Sequence, residues 1–272
     1  MAEQSLKDKT AAVVVIPIYK KELSKHEGIS LRQCLRVLKQ HDIALVCPSS
    51  LDLGAYKCVF EEFGVDCLIE HFDDCSFISV ASYNKLMLSS TFYAHFSQYE
   101  YMLVYQLDAF VFEDRLNLWC SKGYDYVGAP WLNADGSFCG VCGNGGFSLR
   151  RIKSFLNISP HEKLFSFKGL ICCYWNRGLI HRIVYVLKGL LFGQNTLEFF
   201  AENNHVNEDL IYAALKYKNK QAFKIPLPEE AIDFSFESHP AYLYEMNGRK
   251  LPFGCHAWTL FEYDTFWENY IK

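Results

Sequence analysis

The run "AAVVVIPI", residues 11–18, constrains the fold more than any other part of the chain. A continuous β-branched apolar segment is the pattern of a strand covered on both faces, since a half-exposed strand would alternate polar and apolar side chains. It ends at Pro17, and polar residues follow. "ISLRQCLRVLKQ" then sets Ile29, Leu31, Cys34, Leu35 and Leu38 at helical spacing, and "IALVCP" returns to strand. "LGAYKCVFEEFG" reads as a helix stopped by Gly64, and "VDCLIE" as a third strand. The alternation implies an α/β fold with a Rossmann-type sheet flanked by helices. A long helix is expected across "SVASYNKLMLSSTFYAHFSQ", followed by a strand through "YMLVYQLDAFVF".

That last strand carries one carboxylate, Asp108, in an otherwise apolar run. An unpaired buried carboxylate costs several kcal/mol, so Asp108 needs a partner, a cation or a route to solvent. Its place at the carboxyl end of a sheet strand is where open α/β sheets bind ligands. The structural alternative is an Asp that caps a turn or pairs with Arg115.

The chain has 272 residues, half of them hydrophobic, and a net charge of −4. That charge gives no global basic field for nucleic acid, and none is expected as a partner. Aromatic residues make up 16%; they suit packed cores and sugar stacking equally. The eleven cysteines, an odd number scattered through apolar runs, read as reduced thiols of a cytoplasmic protein. The polar opening "MAEQSLKDKT" does not read as a signal peptide. Cys139 and Cys142 form a C-x-x-C, but no second pair stands at zinc-finger spacing, so structural zinc is disfavoured.

No transmembrane span is expected. The nearest candidate, "GLIHRIVYVLKGLLFG" at residues 178–193, is short and interrupted by His181, Arg182 and Lys188. Ile180, Val184, Leu187 and Leu191 share a helix face opposite those charges. The favoured reading is a core-facing helix with a basic outer face; the other is a helix resting on an anionic membrane surface. The second half is richer in glycine and short elements, with one clear helix, "NEDLIYAALKYK", at Asn207–Lys218.

Five motifs in order, "YQLDAFVF", "GYDYVGAPW", "GNGGFSLRR", "NEDLIYAAL" and "PFGCHAW", resemble a family of bacterial glycosyltransferase-like proteins of surface-polysaccharide synthesis. More distantly the layout resembles GT-A glycosyltransferases. The resemblance implies a single GT-A-like domain over 1–272, with a nucleotide-sugar-binding half to about 130 and an acceptor-binding half from about 131. It implies transfer from a nucleotide-sugar donor to a glycan or lipid-linked glycan acceptor. At one point the chain departs from GT-A enzymes: Gln106-Leu107-Asp108 stands where many carry Asp-x-Asp. A neutral Gln amide weakens divalent binding, which leaves dependence on Mn²⁺ or Mg²⁺ open.

The resemblance assigns Asp108 and His256 to a metal, and Gln106, Asp108, Asn84 and Lys85 to the donor. Trp131, Asn144, Gly145, Gly146 and Arg150 fall to the substrate, with Trp131 stacking on a sugar and Arg150 pairing with phosphate. Asp209, with Glu208 beside it, becomes the general base of an inverting transfer. Its helix-start position is expected to keep it ionised. Residue by residue, bland readings stand beside these: a core histidine, a tight turn with a packed Trp, and acidic residues that merely complement a helix dipole. The alternative from another class is a catalytically silent carbohydrate-binding or scaffolding protein. Phosphoester hydrolysis is disfavoured, because ligands for a two-metal site are too few.

Overall fold

The computed structural model describes residues 12–174, 177–203, 206–218 and 223–272. The opening decapeptide, read as no signal peptide, and Ala11 lie outside the described residues.

The alternation expected for the first half is present. Strand β1 (Ala12–Pro17), helix α1 (Lys25–Leu38), β2 (Asp42–Pro48), α2 (Gly54–Phe63) and β3 (Cys67–Phe72) follow in order. Ser24 caps α1 in a reciprocal capping box with Glu27. Gly64 ends α2 at φ 60°, a left-handed conformation that glycine adopts without a Cβ penalty. The long helix expected next is two: α3 (Val80–Met87) and α4 (Ser90–Ala94), because the Ser89 hydroxyl caps a fresh start by accepting from the Phe92 N–H.

The next strand is also interrupted. β4 (Tyr101–Tyr105) stops before Gln106, a turn closes through the Ala109 N–H to the Gln106 carbonyl at 2.8 Å, and β5 (Phe110–Val111) joins another sheet. Helix α5 (Leu116–Ser121) and strands β6 (Tyr126–Val127), β7 (Ala129–Leu132), β8 (Phe138–Gly143) and β9 (Phe147–Arg151) follow. The main sheet has the order β3-β2-β1-β4-β9-β6. β1 pairs in parallel with β2 and β4, and β9 runs antiparallel to β4. The strand order therefore reverses between β1 and β4, since β2 and β3 step outward on one side of β1 and β4 lies on the other, a topological switch point where a crevice opens.

Alternate residues of the central strands enter separate cores. Val13 and Val15 pack with Met102 and Val104 on one face, and Val14 and Ile16 with Leu103 and Tyr105 on the other. Each such side chain contributes about 1.5–3 kcal/mol by leaving water. Coverage of both faces is what the unbroken apolar run dictated.

The second half holds more helix than its sequence suggests: α6 (Ile152–Leu156), α7 (Phe167–Cys173), α8 (Leu179–Leu191), α9 (Leu197–Asn203), α10 (Glu208–Ala214) and α11 (Pro228–Ala231). A short sheet of β10 (Ser235–Phe236), β11 (Gly254–Cys255) and β5 brackets α12 (Pro240–Met246) and returns the chain's end to the turn after β4. Helix α8 has the opposite orientation to the favoured one. Val186 and Gly189 are buried, while Ile180, Val184, Leu187 and Leu191 are exposed. Gly189 decides this. A Cβ there would come within 2.9 Å of Leu170, so the narrow face is the one that nests against α7.

Candidate active site

A cleft of about 720 Å³ opens at the carboxyl edge of the main sheet, walled by the ends of β1 and β4 and by the start of α10. This is the switch point of the strand order. Gln106, Asp108, Gly145, Gly146, Glu208, Asp209 and His256 all line it, as does Asn84 from α3.

Asp108 sits in the turn, its side chain 42% exposed. It therefore has both a route to solvent and a partner. His256 Nε2 lies 3.1 Å from Asp108 Oδ1, and His256 Nδ1 lies 3.1 Å from Glu237 Oε1. Burial pushes the Asp108 carboxyl up, but the His256 hydrogen bond and charge outweigh it and hold the group below its ordinary value. Burial alone would lower His256; hydrogen bonds to Asp108 and Glu237 instead raise it to about 10. The imidazole is thus a cation clamped between two carboxylates. Arg115, the alternative partner of Asp108, pairs with Glu113 and Asp233.

Gln106 turns its amide into the same corner. Its Oε1 is 3.3 Å from His256 Nε2, and its Nε2 donates to the Tyr83 hydroxyl at 3.1 Å. Asp108 and Gln106 thus present a carboxylate and a neutral amide oxygen, hard donors that suit Mn²⁺ or Mg²⁺, whereas the His256 cation could join them only by giving up its Nε2 proton. Among the described residues no group of three His, Cys, Asp or Glu side chains is placed to hold a metal. Cys142 is buried with its thiol toward the Pro226 carbonyl.

The glycines let two walls meet. A Cβ on Gly145 would fall 2.1 Å from Glu208 Oε1, and one on Gly146 would fall 2.0 Å from His256 Nε2. Asn144 works from beneath. It is fully buried at φ 103°, and its Oδ1 accepts from the Gly146 and Phe147 N–H groups. Asn bears such a left-handed conformation through local bonding of this kind. It does not line the cleft, so it shapes the loop instead of offering its amide to a ligand.

Glu208 and Asp209 have different environments. Glu208 accepts from Arg150 Nη2 at 3.3 Å, with both side chains buried. Arg150 also donates to Gly145 O, Ser148 Oγ and the Tyr93 hydroxyl. A phosphate cannot reach that enclosed guanidinium, so the phosphate-pairing expectation fails on burial. Among the described residues no cation forms an ion pair with Asp209; its Oδ1 accepts from the Leu210 N–H at 2.7 Å. Burial, then the charges of Glu208 and Glu237, push its carboxyl up to about 7. Desolvation beside two carboxylates thus overrides the helix dipole that was expected to keep it ionised.

Two further expectations fall outside the cleft. Lys85 is exposed and absent from the wall. The Trp131 ring lies against Gly143, and its Nε1 donates to Glu237 Oε2 at 3.4 Å. It buttresses the Glu237–His256–Asp108 chain and lines no part of the cleft. Sequence reasoning missed Glu237, which sits in "FSFESHP" without a motif, and Lys20, which lines the cleft just past β1. Position after the first strand was the available signal for Lys20.

A family model described as protein of unknown function (DUF5672) matches residues 66–256. The chain belongs to the DUF5672 family. No curated protein matches it. Among solved structures, the bifunctional glycosyltransferase WbbM is similar over 98% of this chain and 50% of its own, at 12% identity and a TM-score of 0.51. The galactosyltransferase LgtC, solved with donor and acceptor sugar analogs, is similar over 90% and 86% at 13% identity, TM-score 0.47. Core-mannan synthase A of Aspergillus fumigatus, in a Mn/GDP form, is similar over 79% and 72% at 11% identity, TM-score 0.44. The likeness to WbbM is one of fold. This DUF5672 chain has a GT-A glycosyltransferase fold, a mixed sheet flanked by helices.

Proposed function

We propose that this DUF5672 chain is a glycosyltransferase that moves a sugar from a nucleotide-sugar donor to a surface-glycan acceptor, with inversion at the anomeric carbon. The observation that carries this is the meeting, in one cleft at the sheet's switch point, of an Asp108–His256 pair and an uncompensated Asp209. The first supplies a place for a diphosphate and the second a base. The GT-A fold supports the reading; within one domain, residues to about 130 would then take the donor and those from about 131 the acceptor.

In this reading Lys20 and His256, the basic side chains among the described residues of the cleft wall, face the donor's phosphates. A divalent cation, where bound, would be held by Asp108 and the Gln106 amide, with His256 Nε2 joining only on giving up its proton, and would supply charge to neutralise the departing diphosphate. Asp209 accepts the proton of the acceptor hydroxyl as that oxygen attacks, which a carboxyl poised near neutrality does well. The Arg150 pairing leaves Glu208 to hold the Gly145 loop. In this reading the acceptor hydroxyl attacks the anomeric carbon directly as the nucleoside diphosphate leaves, and that single displacement gives inversion.

Calorimetric titration with a panel of nucleotides and nucleotide sugars, with and without Mn²⁺, tests the proposal, followed by assay of nucleoside diphosphate release. Binding of at least one nucleotide sugar is the expected result. Binding of none would leave the silent carbohydrate-binding reading, which the neutral Gln106 favours.

A further inference from the structure

Helix α8 presents an apolar face to solvent that no part of the described chain covers. Ile180 is 76% exposed, Ile183 51%, Val184 42%, Leu187 48% and Leu191 70%. At 100° per residue these five fall on one stripe about 100° wide, opposite the buried Val186 and Gly189. A contiguous exposed apolar stripe on a folded protein marks a docking surface.

Charge identifies what docks there. From Lys163 to Leu197 the sequence has five Lys or Arg residues, Lys163, Lys168, Arg177, Arg182 and Lys188, and no Asp or Glu, in a chain whose net charge is −4. His181 and Lys188 project from α8 about 90° from the stripe centre, where a helix lying in a bilayer interface places its cations at headgroup level. The 13 residues span roughly 20 Å at 1.5 Å each, less than the ~30 Å of a hydrocarbon core. Among the described residues no helix is long and apolar enough to cross a membrane. The helix is built to lie in a surface and not to cross one.

We infer that α8 is an interfacial anchor that docks this protein on an anionic lipid surface. A second copy is a worse occupant, because a two-fold dimer through this face would oppose the same cationic segments. The anchor is also near the acceptor side. α8 packs on α7, and α7 packs on α10, whose first turn carries Glu208 and Asp209. Docking therefore sets the Asp209 side of the cleft beside the membrane, where a lipid-linked glycan would be presented. That last step rests on the proposed transfer reaction; the docking itself does not.

The test is co-sedimentation of the full chain with phosphatidylcholine vesicles, with and without phosphatidylglycerol, at low and high salt. Light scattering of the free protein accompanies it. The wild type is expected to pellet with anionic vesicles at low salt and less at high salt. Ile183→Glu/Leu187→Glu should lower partitioning roughly tenfold or more, with unchanged circular dichroism because both positions are exposed. Lys168→Glu/Lys188→Glu should remove the dependence on phosphatidylglycerol. A wild type that stays in the supernatant at low salt, or a double-Glu variant that still pellets, would overturn the anchor. So would a wild-type dimer dissolved by the double-Glu change without vesicle binding, which assigns the face to a second copy. Because the readout is sedimentation, failure of glycosyl transfer would leave it intact.

Discussion

His256 Nε2 stands 3.1 Å from the carboxylate of Asp108, although the two residues come from different halves of the chain. The contact joins the turn after β4 to the strand β11 that closes the second half, so the cleft forms only when both halves are in place. It also places a cation beside the one carboxylate in the "YQLDAFVF" run. Asp108→Ala should let the His256 value fall from about 10 toward, but not to, its ordinary 6.5, since Glu237 still faces Nδ1. A histidine titration by NMR reads this directly, and an unmoved value would refute the pairing. Transfer should be abolished with the thermal midpoint little changed, because a half-exposed strand-end side chain leaves no core cavity.

Gln106→Asp should strengthen divalent binding. The amide oxygen already points into the corner shared with His256, and the change adds a charge to an otherwise similar donor. Calorimetry with Mn²⁺ should show tighter binding in the variant than in the wild type. Equal affinity would mean that position 106 is not a ligand.

Gly146→Ala should disable the cleft while sparing the fold. The new Cβ would lie 2.0 Å from His256 Nε2 and 2.7 Å from Gln106 Oε1, so the imidazole must move away from Asp108. Overpacking of this kind costs about 1–3 kcal/mol. The variant should remain folded and bind donor weakly; wild-type donor affinity would show that the corner yields without consequence.

The Arg150–Glu208 pair should behave as a unit. With both side chains buried, removing one leaves an uncompensated charge, and Arg150→Met should cost roughly 3–5 kcal/mol. Arg150→Met/Glu208→Gln should cost clearly less than the two single changes summed. Urea denaturation of the four proteins gives the coupling, and strict additivity would mean that the contact carries no energy.

Much of the fold was legible because its central strands are buried on both faces, which writes itself as an unbroken apolar run at β1 and β2. What failed shares a cause: periodicity identifies a face but not its destination. Helix α8 shows the expected stripe, yet Gly189, which carries no hydrophobic signal, chose the packed side. The break at Ser89 and the stop at Gln106 depend on caps and turn bonds that compete with equally plausible continuations. In the site, the strand-end position of Asp108 and the motifs holding His256 and Asp209 pointed to one place, and the three line one cleft. Arg150 was misread because its sequence neighbours say nothing of the tyrosines that enclose it, and Glu237 because its meaning arises only from contact with His256.

Asp209→Asn should cost activity and add stability, a combination that a purely structural carboxylate would not show. The folded value of about 7 lies above the ordinary 3.8, so the native state holds the proton more tightly than the unfolded chain. Stability then falls as pH rises between those two values and stays low above them. Asparagine cannot ionise, so it removes that loss. At pH 8 the variant should melt higher than wild type, by roughly 2–4 °C for each kcal/mol relieved. Below about pH 4, where Asp209 is protonated in both states, the advantage should vanish. The rate follows the opposite logic, because only the ionised carboxylate can accept the acceptor's proton. Wild-type kcat/KM should rise with pH through about 7, and Asp209→Asn should lower transfer roughly 10²-fold or more while donor binding persists. A variant that keeps wild-type turnover removes Asp209 as the base. One that loses turnover without gaining stability at pH 8 shows that the carboxyl was never strained.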